Sequence, residues 1–468
     1  MKVAKFKTGS NRVFYYDNDS NLIYDSAGTK ITWFPQSNDY QEYTKFAQDN
    51  YATRKKSNAP TALRILMGHA CNYSCSYCMQ KDIGNPDELP KRKNLEQWFA
   101  DVTAKLDLTN LNRIELWGGE PFLYWNDMVP LMSFFDRPGL TFAISTNGSC
   151  LSAKHAEFFA KLQANVIVSI SHDGPRQLQL RGEEILNRPR VIQTLKMFDQ
   201  LPNVKYAFQC SVTNTNYDLF AINDFFKKHI YDNQLDCWTL AFSLGRTYQE
   251  GSYNSQKDCN SALIGNEEIA AAPDFKSTTH VIHGENLEKF RSILASFLEA
   301  HYTQLTKFGF HGHEPAVFIQ DKKNLDLMFC DIYESTMGYS VLEYSRKVLT
   351  DEPILETTNC GADMADILSL DLDGNIRTCP HAGEKYIHGT VNNIRGIRIV
   401  TLDLNKKESH CAGCVNKKLC RSSCPLSLPD ETFLTNCGVE KVWYGEIQKA
   451  AFRFIFSESV EYVGDSTL

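Results

Sequence analysis

The sequence predicts an α/β fold whose parallel sheet is flanked by helices, either an incomplete (β/α)6 barrel or an open doubly wound sheet. Three observations carry this. Short apolar runs alternate with helically spaced segments from residue 61 to about residue 305. Six such strand-and-helix repeats require crossover connections, and therefore parallel pairing. The residues with chemical character, a cysteine triplet and the turns "GGEP" and "STNG", all fall just past strand ends, where α/β folds place their sites.

Taken in order, the first 58 residues alternate aromatic and polar positions around turn signals, as in "RVFYYDNDSNLIYDSAGTKITWF". They read as a β-rich preface of about two hairpins. "TRKKSNAP" follows as a charged linker. "ALRILMG" is the first barrel strand and ends at the cysteine triplet. "NLEQWFADVTAKL" has Leu95, Trp98, Phe99, Val102 and Leu106 at helical spacing. "RIELWGG" is the second strand, followed by an apolar helical stretch over 124–135. The strands "LTFAISTN", "NVIVSIS", "VKYAFQCSV" and "LDCWTLAFSL" complete the set, with helical segments such as "SAKHAEFFAKLQ" between them. Residues 247–283 are polar and aperiodic, as expected of an inserted loop. "NLEKFRSILASFLEAHYTQL" is an amphipathic helix that would close the barrel. Beyond about residue 320, short elements punctuated by cysteine and glycine are expected, with no long periodicity. The implied organisation is a preface at 1–58, the barrel at 59–315, a loop-rich C-terminal module at 316–450 and a tail at 451–468.

Composition narrows the function. At 468 residues the chain is long for one domain, and 43% hydrophobic with 22% charged residues is ordinary for a soluble globular protein. A net charge of −7 gives no reason to expect nucleic acid or an anionic membrane as partner. The basic residues at the N-terminus have no apolar run behind them, and no window reaches the roughly 18 apolar residues of a membrane span. The chain therefore reads as cytoplasmic. In a reducing compartment its 15 cysteines are better read as metal ligands, catalytic thiols or core residues than as disulfides.

Ten of these cysteines are clustered. Cys71, Cys75 and Cys78 stand at the spacing C-x3-C-x2-C in "GHACNYSCSYCMQKD". Four thiolates complete a tetrahedral zinc site or a four-iron cluster, and three complete neither. A three-cysteine loop leaves one iron of a cubane cluster without a protein ligand, and so open to something else. A zinc site with a remote fourth ligand is the competing reading of the same spacing. Cys210 and Cys237 lie within strands and read as core residues.

The triplet, with Tyr77 immediately before its last cysteine, resembles the radical S-adenosylmethionine (radical SAM) superfamily. The resemblance implies a partial (β/α)6 barrel whose open iron is chelated by the amino and carboxylate groups of SAM. It implies reductive cleavage of SAM to a 5′-deoxyadenosyl radical that abstracts hydrogen from an unactivated C–H bond. "WGGEPFL" looks like the family's GGEP motif and would place Gly118, Gly119 and Glu120 at the SAM amino group, where glycines permit close approach. "SISHDGPRQLQLRG" resembles the family's S-x-DGP segment. That likeness would put Ser171 and Asp173 near the ribose hydroxyls and Arg181 near the SAM carboxylate.

The second cluster comprises Cys360, Cys379, Cys411, Cys414, Cys420, Cys424 and Cys437, with Gly374 between the first two. It resembles the SPASM domain, which holds two auxiliary four-iron clusters and brings the implied total to three [4Fe-4S] clusters. By that likeness Cys411, Cys414, Cys420 and Cys437 bind the distal cluster, and Cys360, Cys379 and Cys424 bind the inner one. Cys330 is the nearby candidate for the missing ligand; without it the inner cluster keeps an open iron. SPASM enzymes mostly modify ribosomally made peptides or proteins, so the resemblance implies a peptide or protein substrate and a reducing partner such as flavodoxin or ferredoxin. The preface would help bind a leader peptide or serve as a structural appendage, and it is too short for a complete winged-helix recognition domain. A sulfatase-maturing enzyme is the alternative within the class. In that group an Asp follows the second SPASM cysteine, whereas here Cys379 is followed by Pro380 and His381; His381 is the substitute candidate for the proton acceptor. A non-catalytic iron–sulfur electron carrier is the alternative of another class. GGEP and Tyr77 speak against it, because a carrier needs no SAM pocket.

Overall fold

The fold is taken from a computed structural model that describes residues 2–17, 20–31, 55–75, 77–78, 80, 94–237, 239–244, 281–307, 341, 348, 362, 364–379, 387–397, 411, 414–416, 420 and 430–467. Six parallel strands form the centre in sequence order: β5 (Ala62–Leu66), β6 (Arg113–Trp117), β7 (Thr141–Thr146), β8 (Asn165–Ser171), β9 (Val204–Val212) and β10 (Thr239–Leu244). All six expected barrel strands are present. They were legible because a parallel strand covered on both faces is an apolar run: Leu63, Ile65 and Leu66 of β5 are all buried, with only Arg64 between them partly exposed.

Helices return the chain between strands. α1 (Leu95–Lys105) starts at Asn94, whose side chain accepts the N–H of Gln97, and buries Leu95, Trp98 and Val102. α2 (Trp125–Phe135), α3 (Ala153–Phe159), α4 (Gln177–Arg181), α5 (Pro189–Asp199) and α6 (Leu219–Asn233) follow in turn. α4 stops at Gly182, whose φ of +84° is a left-handed cap. Asp218 caps α6 by accepting the N–H of Ala221. α7 (Glu285–Lys307) is the long helix after the inserted segment.

Three features depart from the sequence expectations. First, β11 (Ile367–Asp371) pairs parallel with β5, and β12 (Asn375–Arg377) and β13 (Ile387–Thr390) extend it as an antiparallel pair, giving a nine-stranded sheet. The C-terminal module thus continues the barrel sheet. Second, that module contains a long helix, α8 (Asp430–Phe456), where only short elements were expected. Its Trp443 stacks on Phe290 of α7 with ring centroids 6.2 Å apart. Third, the last residues are not a separate tail. Residues 451–456 complete α8, and β14 (Val460–Thr467) pairs antiparallel with β1 (Lys2–Thr8).

The preface is therefore a five-stranded sheet in the order β14-β1-β2-β3-β4, with β2 at Val13–Asp17, β3 at Leu22–Asp25 and β4 at Lys30–Ile31. Phe6, Phe14 and Tyr16 pack on Phe452 of α8, with centroids 4.9, 5.3 and 5.3 Å away. The expected linker is also docked. Lys56 is buried, and its ammonium donates to the carbonyls of Ala362, Met364 and Ile367 at 2.9, 2.7 and 2.9 Å. No helix among the described residues is long and apolar enough to cross a membrane.

Candidate active site

The loop after β5 carries the cysteine triplet, and its first residues are zipped to the GGEP turn after β6. Gly119 N–H donates to Gly68 O at 3.0 Å and Glu120 N–H to Ala70 O at 2.9 Å. The two chains run so close that a Cβ on Gly119 would stand 2.4 Å from Ala70 O and 2.5 Å from His69 O. The room these glycines leave is used by the chain's own cluster loop, a role that the motif alone did not reveal. Tyr124, just beyond the turn, accepts the N–H of Ala70 at 2.8 Å. Glu120 is fully buried and joins neighbouring strand ends: it accepts from Phe122 N and Thr146 Oγ1 at 2.9 and 2.8 Å and from Asn147 N at 2.7 Å. Burial pushes its carboxyl up to about 7 against the pull of those donors.

Cys75 is buried, Cys71 half-buried and Cys78 exposed. Burial raises the Cys71 thiol to about 12; Tyr73 N–H opposes the shift, while Glu120, Cys75 and Cys78 add to it. Burial raises Cys75 to about 11, with Arg181 opposing. The three sulfurs thus lie within electrostatic range of one another, and in the metal-free chain at neutral pH Cys71 and Cys75 keep their protons. Iron displaces such protons, and backbone N–H groups already point at two of the sulfurs: Tyr73 N at Cys71 and Gln80 N at Cys78, each 3.4 Å away. Among the described residues no three Cys, His, Asp or Glu side chains converge on one metal ion. A cubane cluster takes one thiolate per iron, so its ligands need not converge. The residues present fit a three-thiolate cluster held by Cys71, Cys75 and Cys78.

Tyr77 brings the loop to the turn after β8. Asp173 is fully buried and accepts from Arg181 Nε at 2.8 Å, from the Tyr77 hydroxyl, and from Ser211 N at 3.0 Å. The Arg181 guanidinium lies 5.3 Å over the Tyr77 ring. The structure therefore unites Tyr77, Asp173 and Arg181 beside Cys75, whose thiol senses both charges. Ser171 is half-buried at the carboxyl end of β8.

Sequence reasoning missed the residues that fasten this loop. Asn72 donates to Ser149 Oγ at 2.8 Å and accepts from Asn147 Nδ2 at 3.0 Å, so the "STNG" turn grips the loop beside Cys71. Tyr73 donates its hydroxyl to Glu183 at 2.8 Å, and Glu183 also pairs with Arg188. Polar residues crowded past strand ends were the available signal; their partners lie up to 110 positions away.

In the second cluster Cys411 and Cys437 pack together, both buried. Burial raises Cys437 to about 11, with Lys441 opposing and Cys414, Cys411 and Glu440 adding. Cys414 N–H donates to Cys411 O at 3.0 Å, and the Cys420 thiol donates to Glu440 at 3.1 Å. Four of the expected ligands thus gather about the first turns of α8. Cys379 is half-buried just after β12. Cys330, Cys360, Cys424 and His381 lie outside the described residues. Cys210 and Cys237 are buried, as expected of core residues.

Residues 65–207 match the family model for the "Radical SAM superfamily". The matched residues run from β5 into β9 and include the cysteine triplet, the GGEP turn, Asp173 and Arg181. More particularly, the chain is 22% identical over 233 residues to the radical SAM cyclopropyl synthase TigE of Paramaledivibacter caminithermalis, covering 45% of this chain and 48% of TigE. It is 35% identical over 107 residues to the GTP 3',8-cyclase of Ectopseudomonas mendocina, covering 22% of this chain and 30% of the cyclase. The chain thus spans about half or less of the length of these curated relatives. Among solved structures the fold is similar to native anSMEcpe with bound AdoMet, with a TM-score of 0.55 and 14% identity over 85% of this chain and 99% of that one. The same protein with AdoMet and the Cp18Cys peptide gives 0.57 at the same identity and coverage.

Proposed function

We propose that this protein cleaves SAM reductively and uses the radical formed to abstract hydrogen from a side chain of a ribosomally made peptide or protein, leaving a cross-link or an oxidised residue. The observation that carries the reading is the loop of Cys71, Cys75 and Cys78, pinned by the GGEP turn and tied through its own Tyr77 to Asp173 and Arg181. Cys71, Cys75 and Cys78 would hold a four-iron cluster with one iron left open, and such a cluster would supply the electron that cleaves SAM. The chain's residues do the positioning. Gly119 and Glu120 fix the loop, Arg181 presents a cation beside Cys75 for a carboxylate, Asp173 holds that guanidinium in place, and Ser171 presents an oxygen for a hydroxyl group.

A peptide or protein substrate is supported by the fold shared with anSMEcpe, whose structure also holds a peptide. Two auxiliary clusters are assigned to the C-terminal cysteines. Cys411, Cys414, Cys420 and Cys437 form the distal set, and Cys360, Cys379, Cys424 and Cys330 the inner one. A cytoplasmic flavodoxin or ferredoxin serves as reductant.

Anaerobic reconstitution should load about twelve irons per chain. Replacing Cys71, Cys75 and Cys78 together with Ala should remove about four of them and abolish SAM cleavage. SAM cleavage retained by that triple variant would sink the assignment. Co-expression with a peptide encoded alongside should give a product lighter by two hydrogens per modification. Full SAM turnover with an unchanged peptide mass, and no epimer on chiral analysis, counts against a peptide substrate. Oxidation of a sulfatase-derived peptide instead would establish the maturase alternative.

A further inference from the structure

His172 sits between β8 and Asp173, and its side chain is fully closed to solvent. Its two ring nitrogens are both engaged. Nδ1 accepts the N–H of Gly174 at 3.0 Å, and Nε2 lies 2.8 Å from Glu184 Oε1. A nitrogen that accepts carries no proton, so the imidazole proton belongs on Nε2 and is donated to Glu184. Glu184 is itself held, because the same oxygen accepts Leu186 N–H at 3.0 Å. Phe208, Phe225 and Phe226 surround the ring at centroid distances of 6.0, 5.5 and 5.3 Å, so water does not stand in for either hydrogen bond.

Gly174 is the residue that lets the chain turn after Asp173: its φ is +58°, and it opens the short helical turn Gly174–Arg176. The direction of its N–H fixes the peptide plane that joins it to Asp173, and so the direction in which the Asp173 carboxylate leaves the backbone. The neighbouring carboxylate faces the other wall of the site, since Glu183 takes the hydroxyl of Tyr73 on the cluster loop. Consecutive glutamates therefore brace the two segments between which the proposed SAM pocket lies.

We propose that Glu184 locks His172 in the tautomer that holds the Gly174 N–H, and that this pair sets the position of Asp173 and hence the affinity for SAM. His172 and Glu184 are positioning residues: they act through Asp173 and do not touch the ligand. The proposal rests on the radical SAM reading of the site and deepens it.

Four substitutions separate a positioning role from a merely structural one. His172→Asn keeps an oxygen near the place of Nδ1, whereas His172→Gln keeps a donor toward Glu184 and loses the acceptor for Gly174. Glu184→Gln still offers an oxygen to Nε2–H, and Glu184→Leu offers none. The dissociation constant of SAM is measured on the anaerobically reconstituted protein by equilibrium dialysis, alongside iron content and melting temperature. His172→Gln and Glu184→Leu should weaken SAM binding about tenfold, the scale of a lost supporting hydrogen bond, while His172→Asn and Glu184→Gln stay within about threefold of the parent. Parent-like SAM affinity in Glu184→Leu overturns the proposal. So does an equal loss of iron and melting temperature in all four variants, which assigns the pair to the core alone. A parent protein that binds no SAM brings down the radical SAM reading itself, a result distinct from either of these.

Discussion

A Cβ placed on Gly119 would stand 2.4 Å from the carbonyl oxygen of Ala70, one residue before the first cysteine of the triplet. Real Cβ atoms do not approach backbone that closely, and the neighbour is main chain rather than a movable side-chain tip. Gly119→Ala must therefore push the cluster loop away from β6 and stretch the hydrogen bond from Glu120 N to Ala70 O, now 2.9 Å. The expected outcome is an overpacking cost of about 1–3 kcal/mol and a loss of the irons held by the triplet. Iron analysis after reconstitution, together with thermal unfolding, checks it. Iron at the parent level would show that the loop accommodates the methyl group.

The ammonium of Lys56 is a second point where a single side chain holds two segments together. It satisfies three carbonyls of residues 362–367, while the backbone N–H of Lys56 donates to Ile397 O at 2.9 Å. Lys56→Met keeps the aliphatic stem but leaves those carbonyls short of donors. At about 1 kcal/mol for each hydrogen bond, the loss should reach about 3 kcal/mol. The melting temperature should fall accordingly, whereas an unchanged value would mean that water replaces the ammonium.

The sequence made the barrel and the triplet legible because both are local. A strand covered on two faces is a run of apolar residues, as in β7 where Phe142, Ala143 and Ile144 are all buried, and three thiols within eight residues need no long-range information. α8 was not legible, and its residues show why. Val439, Val442, Tyr444, Ile447, Ala451, Phe452, Phe454 and Ile455 are all buried, so no single apolar stripe marks a face. β14 carried no signal either, because its partner β1 lies at the other end of the chain. The same holds within the site. Tyr77, Asp173 and Arg181 were reached through motifs, whereas Tyr73 with Glu183 and Asn72 with Ser149 are contacts between remote segments that no spacing reveals.

His155 supplies a prediction in pH. It stands at the third position of α3, accepts Ser152 N–H on Nδ1 at 3.0 Å, and packs against Phe122 and Trp125 with ring centroids 4.6 and 4.4 Å away. Its Nε2 is buried without a partner, and burial first, then the charge of Lys154, lowers its pKa from 6.5 to about 4. Below 6.5 the unfolded chain takes up a proton that the folded chain refuses, so this residue's contribution to stability falls as pH drops from about 7 toward about 4. Between about pH 7 and about pH 5 the loss amounts to about 2 kcal/mol. His155→Phe fills the aromatic pocket without a titrating group and sacrifices one capping hydrogen bond, worth about 1 kcal/mol at every pH. Urea titrations at the two pH values should therefore show a smaller acid-side loss in the variant, by about 2 kcal/mol, even though it starts lower at neutral pH. Parallel losses in the two proteins would place the imidazolium of His155 in contact with water and refute its burial as the neutral form.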